Sequence, residues 1–81
     1  MKSFSSNILL KQKELEFVVF CIENLAIRLK RDTIEIYELL TEKSNILDAY
    51  IIPNYEMLHT QDKEYILDDI ITVIEEEGIE I

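Results

Sequence analysis

Apolar residues recur at spacings of three and four through most of this chain. Between Lys11 and Lys30 they fall at Leu15, Val18, Ile22, Leu25 and Leu29, which is one face of an α-helix. Phe17, Phe20 and Cys21 add a second strip. From Phe17 to Ile22 the helix is apolar all round, which predicts a position at the centre of the fold. Read alone, Phe-Val-Val-Phe-Cys-Ile would suit a strand; the period on both sides and the lack of flanking turn residues predict helix. Asp32-Thr-Ile-Glu35 has the form of a capping box and starts a second helix, Thr33 to about Lys43, that buries Ile36, Leu39 and Leu40. Ser44 or Asn45 caps a third, short helix through about Ile52, with Ile46, Leu47, Tyr50 and Ile51 on one side.

Pro53 disfavours helical geometry at Ile52, so the third helix stops or kinks there. Pro53 itself suits the first position of a new turn and predicts a short helical segment to His59. Thr60 is the expected N-cap of the last helix, with Asp62 in its first turn and Ile66, Leu67, Ile70, Ile71 and Ile74 as its buried stripe. Gly78 is the expected residue just past its end, with Ile79 folding back. The predicted fold class is all-α: a compact bundle of about four helices with a short proline-initiated segment before the last. Residues 1–10 form an N-terminal tail and 11–81 a single helical domain.

Composition narrows the picture further. A chain of 81 residues is one domain and buries roughly 60–65% of the surface it exposes when unfolded. Its apolar content suffices for one core and a homodimer face. One Gly and one Pro argue against a turn-rich β fold. Cys21 has no partner for an intramolecular disulfide, which fits a reducing, cytoplasmic setting. The longest apolar run, Phe17 to Ile22, is far shorter than the roughly 20 residues that span a bilayer. Ile8-Leu9-Leu10 before Lys11 is no signal-peptide core.

The net charge of −9 is unevenly placed. Residues 1–40 carry six basic and six acidic groups, whereas residues 41–81 carry two basic against eleven acidic. The second half therefore repels phosphate backbones and anionic membranes and favours basic partners. A helix-turn-helix reading rests on Ala26, Leu29, Ile36 and Leu39 around the turn Lys30-Arg31-Asp32, with Arg28, Lys30 and Arg31 as a small basic cluster. Its recognition helix would present Thr33, Glu35, Glu38, Thr41 and Glu42, the wrong sign for phosphate contact. Nucleic acid is thus the lesser expectation.

Chemistry fares no better. Glu56 and His59 stand three apart, the spacing of a helical metal pair, but a bundle site needs two such pairs and further carboxylates, and the chain has one histidine. Cys21 and His59 are the one Cys–His pair, and Cys21 lies in the apolar run. Asp68 and Asp69 are adjacent carboxylates without an indicated cleft. The expectation is a non-enzyme without metal or cofactor.

Tyr50 to Thr60 gathers the single proline, the single histidine, Met57 and two of four tyrosines. Tyr50, Tyr55, Met57 and His59 are candidate contacts for a protein partner, since tyrosine is enriched at interface hot spots. Glu56, Asp68, Asp69, Glu75 and Glu76 would supply the charge that attracts a basic surface. Against this, Tyr50, Tyr55, Met57 and Leu58 would also serve to cap the core; that role is preferred for Met57 and Leu58, and both stay open for the tyrosines. Glu75-Glu76-Glu77 ends the last helix, where the macrodipole favours cations.

Three segments together resemble a family of short bacterial proteins with a domain of unknown function (DUF3791). They are Glu16-Phe-Val-Val-Phe-Cys-Ile-Glu-Asn24, Ile36-Tyr-Glu-Leu-Leu40, and Tyr50-Ile-Ile-Pro-Asn-Tyr-Glu-Met-Leu-His-Thr-Gln61 continuing into Glu64-Tyr-Ile-Leu-Asp-Asp-Ile70. The resemblance covers roughly residues 12–78 and is most specific in the third segment. It carries over no catalytic residue. It implies gene neighbourhoods that include ADP-ribosyltransferase-like toxin proteins, and hence an antitoxin-like or other cognate-partner role for a small acidic neighbour. The expected function is a small acidic protein–protein interaction module of that kind; the alternative is a helix-turn-helix-like, nucleic-acid-associated regulator.

Overall fold

The computed structural model describes residues 11–81; the expected N-terminal tail, 1–10, lies outside the described residues. Four α-helices and one π-helical turn follow in order: α1 (Gln12–Leu29), α2 (Thr33–Thr41), the π turn (Leu47–Ile51), α3 (Tyr55–Leu58) and α4 (Lys63–Glu76). No strand occurs among the described residues. The fold is all-α, as the periodicity predicts. Helix α1 is the central element and lies against both α2 and α4, while α2 also meets the π turn.

The buried face of α1 is Phe17, Val18, Cys21, Leu25 and Ala26. This corrects the predicted stripe at its N-terminal end, where Leu15 is 52% exposed; further along, Ile22 and Leu29 pack half-buried at the edge of the core. A helix apolar around most of its circumference has several candidate faces, and packing against α2 and α4 selects one. Cys21 is fully buried, and burial pushes its thiol up to about 12, so it packs as a small hydrophobe rather than a thiolate.

The turn between α1 and α2 closes by two crossed bonds, Lys30 N–H to the Ile27 carbonyl (3.3 Å) and Arg31 N–H to the Ala26 carbonyl (3.0 Å). Lys30 takes the left-handed conformation, φ 58°, which a glycine would adopt without cost. The Asp32 amide then donates to the Glu35 carboxylate at 3.3 Å, as the capping box requires. At the other end of α2, the Ser44 hydroxyl donates to the Leu39 carbonyl (2.8 Å) and accepts from the Ile46 amide (3.2 Å).

The third helix is not α-helical. Its ladder widens so that the Ile52 amide donates to the Leu47 carbonyl, five residues back, at 3.0 Å. Ile52 itself keeps helical geometry, φ −66° and ψ −47°, against the expectation drawn from Pro53. In an α-helix the proline ring would strike the Ala49 carbonyl and leave it without a donor. The widened turn stands just before the proline, and Ile51 and Tyr55 on either side of it both reach the core.

Helix α4 starts at Asp62, whose carboxylate accepts the Tyr65 amide at 2.8 Å. Thr60, the predicted cap, instead donates its hydroxyl to the Met57 carbonyl (2.8 Å) and closes α3. The helix ends as predicted: Gly78 has φ 81°, its amide bonds to the Glu75 carbonyl, and the Ile79 amide bonds back to Ile74. Ile66, Leu67, Ile70 and Ile74 join Leu25, Ile36, Leu40, Ile51 and Leu58 in one continuous core, with Ile71 at its edge.

Candidate protein-interaction surface

The segment Tyr50–Thr60 is built as a corner between the π turn and α4. Tyr50 is held at both ends. Its carbonyl accepts from the Asn54 side chain (2.7 Å) and amide (3.2 Å), and its hydroxyl donates to the Asp69 carboxylate on α4. That bond, together with partial burial, holds the Tyr50 phenol protonated and pushes it up to about 12. Tyr55 is buried, with its ring edge-on to Phe17 at 5.4 Å. His59 is exposed and stacks on Tyr55 at 4.4 Å. So Tyr55 caps the core, one of the two roles open to it, and its edge also lines the cleft beside Glu56. Met57 is a correction: expected in the core, it faces solvent, whereas Leu58 is fully buried as expected.

The acidic face of α4 divides in two. Asp68 and Glu64 both accept from the Arg28 guanidinium on α1, the Asp68 bond being 2.8 Å. The hydrogen bond to Asp68, with the field of Glu64, raises the Arg28 pKa further above its ordinary value. Asp69 is taken by Tyr50. Two of the five residues of the predicted charge complement, Asp68 and Asp69, thus tie α4 to the rest of the fold. Glu75 and Glu76 stand exposed at the last turn, which holds no basic residue. Among the described residues the only ion pairs are those of Arg28, so Glu75 and Glu76 are met by no intramolecular cation there. Glu56, also exposed, borders a shallow cleft against the first turn of α1, with Lys11, Lys13, Glu14 and Glu16.

A second acidic zone lies where sequence reasoning placed a DNA-recognition helix. Ala26, Ile36 and Leu39 are buried, so α1 and α2 form the close pair that the motif requires. Glu35, Glu38 and Glu42 nonetheless face solvent on α2. A groove of about 150 Å³ runs beside them to the chain end, floored by Leu39 and Ile79 and edged by Glu35, Glu38 and Glu80; Arg31 and Lys43 complete its lining. Nothing in the sequence flags this meeting of α2 with Glu80, because the two are more than forty residues apart and no motif links them. No motif links Arg28 with its partners on α4 either, which stand 36 and 40 residues further along the chain.

A family model described as a protein of unknown function (DUF3791) matches residues 16–77. The chain belongs to the DUF3791 family. The matched span contains both the Arg28 clamp and the whole Tyr50–Thr60 corner, so both lie within the family domain. Comparison with curated proteins and with solved structures gives no match. No group of three or more His, Cys, Asp or Glu positioned to hold a metal occurs among the described residues, and none of their helices is long and apolar enough to cross a membrane.

Proposed function

We propose that this DUF3791 chain is a small acidic protein–protein interaction module, an antitoxin-like partner for the ADP-ribosyltransferase-like neighbour that the family resemblance implies. The observation that carries this reading is the end of α4, where Glu75 and Glu76 are exposed without a basic residue in the last turn. Carboxylates at a helix C-terminus oppose the macrodipole and cost a few tenths of a kcal/mol each. A docked basic surface offsets that cost and gains from the field of the −9 chain. In this reading the chain is a binding protein of the cytoplasm, with no catalytic step of its own. The contact set in this reading narrows from the nine residues first considered to Glu56, Met57, His59, Glu75 and Glu76, with Tyr50, Tyr55, Asp68 and Asp69 as the frame behind them.

Co-expression of the full chain with the neighbouring ADP-ribosyltransferase-like protein tests the reading. The expected result is an equimolar complex on gel filtration that weakens with salt and with the triple change Glu75→Gln, Glu76→Gln and Glu77→Gln. Separate elution of the two proteins at low salt would sink it.

A further inference from the structure

The surface of α2 that faces solvent has two edges of different chemistry. At about 100° per residue, Ile34, Tyr37 and Thr41 share one edge, and Glu35, Glu38 and Glu42 the next; Ile36, Leu39 and Leu40 are the buried side. Ile34 is 69% exposed and Tyr37 50% exposed. Single apolar residues at a surface are ordinary, but an aliphatic and an aromatic one turn apart on a nine-residue helix make an apolar stripe. Beside the acidic edge lies the groove floored by Leu39 and Ile79, where Glu35, Glu38 and Glu80 outnumber the two cations in the lining, Arg31 and Lys43.

We infer that the solvent face of α2 is a docking surface for an amphipathic helix with a lysine- or arginine-rich rim. Apolar residues of such a helix cover Ile34 and Tyr37. Its cations reach Glu35, Glu38 and Glu42, with aliphatic stems laid along Leu39 and Ile79. Charge decides against a second copy of this chain as the occupant. Two copies face to face would bring both sets of Glu35, Glu38 and Glu42 together, in a chain already at −9. The inference rests on reading the chain as a module for a basic protein partner, and it adds an apolar centre to a surface otherwise defined by charge.

The probes are two synthetic amphipathic helical peptides with the same leucine stripe, one rimmed with lysine and one with glutamate, titrated into the full 81-residue chain. The lysine peptide is expected to bind at least about tenfold tighter, with amide chemical-shift changes concentrated on residues 33–43. Ile34→Asp with Tyr37→Asp is expected to weaken it by a further factor of about ten or more. Both sites are exposed, so circular dichroism and melting should be unchanged; Ile34→Ser is the milder companion variant. Glu35→Gln with Glu38→Gln should erase most of the preference between peptides. Equal affinity for both peptides, no binding of either, shift changes away from α2, or a dimer in light scattering that Ile34→Asp dissolves would each overturn the inference. If the neighbour complex forms equally well with the Ile34/Tyr37 variant but fails with the Glu75–Glu77 variant, the module survives and the α2 surface does not.

Discussion

Helices α2 and α4 both present a row of carboxylates, yet the two rows do different work. On α4, Asp68 and Glu64 are clamped by Arg28 and Asp69 receives the Tyr50 hydroxyl. On α2, Glu35 meets only its own capping amide, and Glu38 and Glu42 meet no cation among the described residues. A carboxylate bonded within the fold orients an element, whereas one left in water remains available to a partner. The number of acidic residues in a stretch therefore does not measure its binding potential; the tertiary partners of each carboxylate do.

The sharpest way to break this contrast is to compare the inward sides of the two helices with the outward edge of α2. Ile70→Ala on α4 or Ile36→Ala on α2, both at fully buried positions, should each cost about 2–5 kcal/mol in urea unfolding. Ile34→Ala on the solvent edge should stay within about 0.5 kcal/mol. A large loss at Ile34 would mean that this edge is packed in solution and not free.

Tyr50→Phe tests whether the α4 row is truly structural. It removes one hydrogen bond to a charged group at a half-buried site, and the expected loss is roughly 1 kcal/mol. The Tyr50 phenol is raised in the folded chain from 10.0 to about 12, so the folded state favours the protonated form. Its contribution is complete below pH 10, the ordinary tyrosine value, and is lost as the pH climbs towards 12. Unfolding free energy measured across that window should fall in the native chain, and the part due to Tyr50 should vanish in the Phe variant.

A smaller effect is expected at the turn that leads into α2. Lys30 and Gly78 close α1 and α4 with the same crossed hydrogen bonds, but only Gly78 adopts positive φ without steric cost. Lys30→Gly should raise stability by about 0.5–1 kcal/mol after the added freedom of the unfolded chain is counted. The slightest effect belongs to Arg28→Met. The carboxylates it faces are mostly exposed, so the change should lower the melting temperature slightly at low salt and leave no difference at high salt.

Much of the fold was legible because helices carry their own signals. The Asp32–Glu35 box, the Gly78 terminus and the stripes of α2 and α4 are local, and all three appear as the spacing predicts. Local signals failed where several local solutions compete. Helix α1 had more apolar residues than one face needs, Asp62, expected in the first turn, took the cap expected of Thr60, and Pro53 was met by a π turn instead of a break. The candidate surface was harder to read, because exposure and bonding of a polar side chain depend on what arrives from elsewhere in the chain. Met57, expected in the core, faces solvent for that reason, and Tyr55, for which both roles were open, packs on the core.

By itself the sequence determined the helical class, the order of elements, most helix ends and the excess negative charge, since each depends on neighbours within about a turn or on simple counting. Only the tertiary structure decided which carboxylates are spent on Arg28 and Tyr50, which face of α1 is buried, and that Glu80 comes to rest beside Glu35 and Glu38. Those outcomes join residues twenty to fifty positions apart, and no periodicity reaches that far. They follow from how four short helices share one thin core.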